Sequence, residues 1–123
     1  MPSGHNGPRF DIDTPLRTTA HWAITFLKSF QLTKDEIFMN SAERSLEYIS
    51  SHFRKSNAAF FCRNSNRKDK SNGLIGQAWV IEALAIGGNV LKNENLLDIA
   101  SNVFLNHRFN ERLGLWHQLG VDG

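Results

Sequence analysis

Apolar residues recur along this chain with the period of a helix in four places, and they do so in two contrasting ways. The first segment opens at Thr14-Pro15, where threonine suits the N-cap and proline the first helical position. Its Leu16, Ala20, Trp22, Ala23, Ile24, Phe26, Leu27 and Phe30 cover most of a helical circumference. A helix apolar nearly all round is one buried on most sides. The second segment opens at Thr33, with Glu36 placed three residues on to complete a capping box. Its stripe of Phe38, Ala42, Leu46, Ile49 and Phe53 leaves Glu43, Arg44 and Glu47 facing away, as on a one-sided outer helix. Leu74 to Ile86 is again apolar all round, with Gln77 and Glu82 its only strongly polar side chains. Gly87-Gly88 is expected to end it through a left-handed C-cap. A last helix, Asn95 to Asn106, is expected to bury Leu96, Leu97, Ala100, Val103 and Phe104 and to show Asp98 and Asn102.

This order of inner, outer, inner, outer coincides with an internal repeat. His21-Trp22-Ala23-Ile24-Thr25-Phe26-Leu27 returns as Ala78-Trp79-Val80-Ile81-Glu82-Ala83-Leu84, 57 positions later, and Ala42 meets Ala100 at 58. A fixed long period marks stacked supersecondary units; tetratricopeptide and ankyrin units repeat at about 33–34 residues, armadillo and HEAT units at about 40–47. The longer period here fits αα-hairpins with substantial loops. One loop spans 53–72, with room for a short strand at Ala58–Cys62, and a second spans 107–113; residues 114–123 read as strand and turn. The expected fold is all-α, a partial domain over 1–123. Residues 1–13 form an N-terminal loop, 14–53 the first hairpin, 54–72 a basic loop, 73–106 the second hairpin and 107–123 the lead-in to a third. Repeat arrays generally need three or more units and polar caps. Two hairpins with inner helices this apolar are therefore expected to be a fragment of a larger array, or to self-associate.

Composition narrows the class. Hydrophobic content of 41% and charged content of 21% are those of a globular domain. Cys62 is the only cysteine and cannot form an internal disulfide, which favours a reducing compartment. Residues 1–8 show no apolar core or cleavage signal, and no stretch approaches the roughly 18 apolar residues of a membrane span. A cytoplasmic protein without membrane contact is the expectation. Net charge is only +2, yet Arg54, Lys55, Arg63, Arg67, Lys68 and Lys70 face Asp69 alone within one segment. Such a loop either meets an anionic ligand or is simply solvated.

His5-Asn6-Gly7-Pro8, Thr14-Pro15-Leu16-Arg17, His21-Trp22 and Asn72-Gly73-Leu74-Ile75-Gly76-Gln77-Ala78-Trp79 resemble the (α/α)6-toroid carbohydrate-active proteins. These include six-hairpin glycosidases, unsaturated glucuronyl hydrolases and N-acylglucosamine 2-epimerases; the likeness is strongest to toroid proteins associated with polysaccharide biosynthesis. It runs from His5 to Gly123. The resemblance implies a saccharide bound in a central cleft, lined by the loops before the inner helices and their first turns. It selects His5, Asn6, Arg17, His21, Arg63, Asn72 and Gln77 as lining residues. No complete catalytic motif of that family falls on this chain.

The residues themselves offer further candidates. Glu82 is the only acid in an apolar helix and stands where the first copy has Thr25. Burial would raise its pKa and suit it to general-acid work, or it is a structural carboxylate paired with Arg17 or bonded to Thr25. His21 can shuttle a proton near neutral pH, or fill space while bonding a carbonyl. Arg17, one turn earlier, shares its face and can fork onto a sugar carboxylate or phosphate. Trp22 and Trp79 repeat at equivalent positions and read as core. Trp116 lies outside the repeat and offers a flat face for a sugar, beside His117 as a further acid, base or surface group. His52 and His107 fall near helix ends, where a cation favours the dipole. No metal-ligand spacing, phosphate loop or nucleophile elbow is present, so no metal or cofactor is expected. Cys62 has basic neighbours that favour a thiolate, but reads as an inert thiol near phenylalanines.

Two functions compete. A carbohydrate enzyme, of glycoside hydrolase or sugar epimerase type, would transfer protons through His21 and Glu82 with Arg17 or Arg63 holding an anionic sugar. Hydrolysis needs a second carboxyl, from Asp69, Asp122 or beyond the fragment, and the fragment alone would then be inactive. The alternative is a non-catalytic helical module that grips an anionic polymer or protein through the basic loop. Nucleic acid is disfavoured as a partner, because basic residues confined to one loop make a poor stripe.

Overall fold

The computed structural model describes residues 15–64 and 69–117. Helix α1 (Pro15–Thr33) and α2 (Glu36–Ser51) form one pair, followed by strands β1 (Phe53–Arg54) and β2 (Ala59–Phe60). Helix α3 (Gly73–Leu91) and α4 (Glu94–Asn106) form the second pair, followed by β3 (Phe109–Asn110) and β4 (Leu115–Trp116). The architecture is mostly helical, and each copy of the repeat is two helices and a short strand pair.

Both helix pairs turn by the same device. Lys34 (φ 60°) and Lys92 (φ 55°) adopt the left-handed conformation that closes a helix C-terminus. Their backbone N–H groups donate to Phe30 O at 2.8 Å and to Gly88 O respectively. Asp35 and Asn93 then cap the next helix, Asp35 Oδ1 accepting from Ile37 N at 3.0 Å and Asn93 Oδ1 from Leu96 N at 3.4 Å. Thr33, expected as the cap of α2, is instead the last residue of α1. Its hydroxyl donates to Ser29 O at 2.8 Å and accepts from Asp35 N at 3.2 Å, and the capping falls to the Asp35 carboxylate.

Gly87-Gly88 does not end α3, which continues to Leu91. These glycines are points of close approach. A Cβ on Gly87 would fall 2.8 Å from Leu46 Cδ2 of α2, and one on Gly88 would fall 2.8 Å from Leu97 Cδ2 of α4. Helix α3 thus packs against α1, α2 and α4 and forms the centre of the described structure. Among the described residues it is also the one helix long and apolar enough to cross a membrane, at 19 residues and a mean hydropathy of 1.5, against the expectation that no stretch comes near. Its Gln77, Val80, Ala83, Leu84, Gly87 and Gly88 are buried within the fold, as those of a core helix are.

The core gathers Leu16, Ala20 and Ala23 of α1, Leu46 and Ile49 of α2, Phe60 of β2, Val80 and Leu84 of α3, and Ala100 and Val103 of α4. Phe53, placed on the second helix by its stripe, lies instead in β1 opposite Phe60. β3 and β4 pair Phe109 with Trp116 and Asn110 with Leu115, so the expected loop at 107–113 contains a strand. The two strand pairs share a turn. Asn57 N donates to Arg54 O at 3.1 Å and Leu113 N to Asn110 O at 3.2 Å, each followed by a left-handed residue, Ala58 (φ 44°) or Gly114 (φ 63°).

The inner helices are less enclosed than their composition suggests. Trp22 is 42% exposed, and His21, Thr25, Ala78 and Glu82 are also exposed. Phe104, expected in the core, is exposed on α4. A helix's apolar content measures its mean surroundings and not the direction of each side chain.

Candidate functional site

The loop entering α3 is organised by one carboxylate. Asp69 Oδ1 accepts from Ser71 N at 3.0 Å, while its Oδ2 accepts from Ser71 Oγ at 2.5 Å and Gly73 N at 3.0 Å. Asp69, a candidate second carboxyl for hydrolysis, is thus committed to holding this turn. Asn72 follows in the left-handed conformation (φ 58°) and begins α3 without a side-chain cap. Of the lining candidates, His5 and Asn6 lie outside the described residues, as do Thr14, Asp122 and the closing residues 118–123.

Gln77 joins this loop to the first strand pair. Its Oε1 accepts from Phe60 N at 2.8 Å, and its Nε2 donates to Phe60 O at 2.9 Å and to Ser71 O at 2.8 Å. With 1% of its surface exposed, the side chain is a buried clamp between the copies. Cys62 lies beside it, 3.6 Å from Nε2. Burial, with the Asp69 charge adding to it, pushes the Cys62 thiol up to about 12 against the smaller opposing effects of Arg63 and Gln77. The basic neighbours do not make it a thiolate.

Where α1 meets α3, two candidates converge on one ring. The Arg17 guanidinium lies 5.2 Å from the centre of the Trp79 ring, and the His21 imidazole meets the same ring edge-on at 5.1 Å. Trp79, read from the sequence as core, is half-buried and links the two polar residues. Glu82 stands one turn beyond Trp79 on α3. It is exposed, so the case for a desolvated acid does not hold. Thr25, its suggested partner, donates its hydroxyl to His21 O at 2.8 Å.

The remaining candidates lie elsewhere. Trp116 is on the α4 side of α3, 5.2 Å from Phe104 and 5.0 Å from Phe109. It borders an apolar cavity of about 200 Å³ with Leu74, Gln77, Ala78, Ile81, Phe104 and His107. His117 is exposed, its N–H donating to Arg108 O at 2.8 Å. Arg63 N donates to Lys70 O at 3.0 Å, and its buried Nε has no partner among the described residues. His52 and His107 cap their helices in the same manner. Nδ1 of each donates to the carbonyl four residues back, Tyr48 O at 2.8 Å and Val103 O at 2.7 Å.

One cluster went unread in the sequence. Arg54 and Lys70 both lie over the Phe61 ring, at 5.3 Å and 5.7 Å. Only the folding of the loop back along the strand pair brings together cations so far apart in sequence. Among the described residues no three His, Cys, Asp or Glu side chains are grouped to hold a metal ion.

The described residues therefore form two helix pairs, and α1 and α3 carry exposed polar side chains where they meet. No family model matches the chain, and no solved structure matches it. It is 44% identical, over 124 aligned positions covering all of its length, to archaeal glycosylation protein Q of Haloferax volcanii. The chain spans 33% of that protein's length.

Proposed function

We propose that this chain acts in glycosylation, as two hairpins of an (α/α)6-toroid carbohydrate-active domain whose substrate is an anionic saccharide. The observation that carries the reading is the 44% identity, across the whole chain, to a protein named for glycosylation. The Arg17–Trp79–His21 cluster suits the chemistry. A guanidinium held over an indole is placed to fork onto a sugar carboxylate or phosphate, and the exposed imidazole beside it is a group able to carry a proton to or from a substrate. Glu82 supplies a carboxylate on the neighbouring helix. Deleting the gene in the organism that carries it, followed by mass spectrometry of its glycopeptides, tests the reading. Truncated or altered glycans are expected, and unchanged glycans would sink it. Complementation with His21→Ala tests the proton-transfer role, since full restoration would remove His21 from the mechanism.

A binding module remains the second reading, favoured by the pairing of Arg54 and Lys70 over Phe61. Retention of the chain on an anionic polysaccharide that is lost on Phe61→Ala, with no turnover of any glycan, would favour it.

A further inference from the structure

The two copies of the repeat differ in what covers them. Leu46, Ala59 and Phe60 of the first copy are 0–1% exposed. Their counterparts in the second, at the 56- to 58-residue offsets of the outer helix and strand pair, are Phe104, Leu115 and Trp116, and these are 49%, 60% and 43% exposed. The first copy is closed by the second: Gly87 brings α3 onto Leu46, and Gln77 clamps Phe60. Nothing described stands in that place beyond the second copy.

The 57-residue offset of the inner helices shows what would fit there. Leu74, Gln77, Ala78 and Ile81, the α3 residues bordering the apolar cavity, are the counterparts of Arg17, Ala20, His21 and Ile24 on α1. In the first copy this surface receives Trp79, which lies against Arg17 and His21. In the second copy it is an open slot of about 200 Å³. An apolar cavity of about 150 Å³ takes a benzene ring, so this one is of a size for an aromatic side chain. The counterpart of Trp79 is Trp22, which is 42% exposed on α1 and, among the described residues, has the Phe26 ring stacked on it at 5.4 Å.

We propose that the occupant of this slot is a second copy of the chain, joined head to tail. Trp22 and Phe26 of one molecule enter the slot between Leu74, Ala78, Phe104 and Trp116 of the next, repeating between molecules the contact that α3 makes with α1 within one. Each junction uses two different surfaces, so the assembly grows until rotation closes it into a ring. This junction is independent of any reading of the chemistry at His21.

Sedimentation of the 123-residue chain over a range of concentrations tests it. Concentration-dependent assembly beyond the monomer is expected. Trp22→Glu and Phe104→Glu, both at exposed positions, should each keep the helical circular dichroism while weakening assembly about thirtyfold or more, the loss typical of a buried tryptophan anchor. The mixture is decisive. Trp22→Glu keeps an intact slot and Phe104→Glu an intact Trp22, so equimolar mixing should give a terminated 1:1 complex. A wild-type chain that stays monomeric would overturn the proposal. So would an assembly whose two variants do not pair on mixing, because that is the behaviour of a symmetric interface.

Discussion

Exchanging Gln77 for glutamate changes one atom of the amide clamp and reverses its hydrogen-bonding sense. In the native side chain Oε1 accepts from Phe60 N, while Nε2 donates to two carbonyls, Phe60 O at 2.9 Å and Ser71 O at 2.8 Å. Gln77→Glu presents a second oxygen to those two carbonyls. The introduced carboxyl must then face them ionised, or take up a proton and donate to one of them. Holding a group of ordinary pKa about 4.3 protonated at pH 7 costs about 3.7 kcal/mol. Leaving the other carbonyl unsatisfied costs about 1–3 kcal/mol more. The total is about 5–7 kcal/mol at pH 7, comparable to the whole stability of a marginal domain. The sign follows from linkage. The introduced group's pKa is raised in the folded state, so the folded chain binds more protons than the unfolded chain between the two pKa values. Stability is then fullest below about pH 4.3 and falls as pH rises through the folded value. Urea denaturation followed by circular dichroism at pH 4.5 and pH 7 measures this directly. Gln77→Met, which fills similar space without a titrating group, serves as control, and its cost should not change with pH beyond that of the wild type. If Gln77→Glu costs less than about 1 kcal/mol at pH 7, or loses stability with pH no faster than Gln77→Met, the clamp is not as described.

Two further outcomes follow from the same core. Because the Cys62 thiol is held up at about 12, its contribution is complete below about pH 9 and is lost between pH 9 and 12; stability measured by urea titration should fall by up to about 1.4 kcal/mol per pH unit there, and Cys62→Ala should remove that slope. Gly87→Ala should destabilise by about 1–3 kcal/mol, since overpacking against Leu46 outweighs a helix-propensity gain of about 1 kcal/mol; a higher melting temperature would refute the close approach.

The four helices were legible because their apolar residues recur with the right period, and the repeat offset placed them in matching pairs. The turns between paired helices were also written in the chain, as Lys34-Asp35-Glu36 and Lys92-Asn93-Glu94. They were overshadowed by stronger local signals, a threonine at 33 and two glycines at 87–88. A glycine pair looks the same whether it frees the backbone or admits a neighbouring helix, and only the packing of Leu46 and Leu97 tells these apart. Gln77 illustrates the opposite limit. Its polarity was visible, but its partners at Phe60 and Ser71 are set by the return of the loop onto the strand pair. The company Glu82 keeps in sequence points to the interior, whereas its orientation depends on which side of α3 faces α1. The Arg17–Trp79–His21 meeting needed both the repeat and the contact between inner helices, and only the first is a property of sequence.

The dependence of the first strand pair on Gln77 also orders events during synthesis. When residues 15–64 have left the ribosome, the first helix pair is complete in sequence, yet the backbone of Phe60 has no clamp and Leu46 no lid. Both arrive only with α3. Ala58, an alanine held at φ 44°, makes the wait costlier, because its turn is strained where the corresponding Gly114 turn is not. The two units are thus joined in time as well as in space: the earlier half of the chain settles only when the later half reaches back to it.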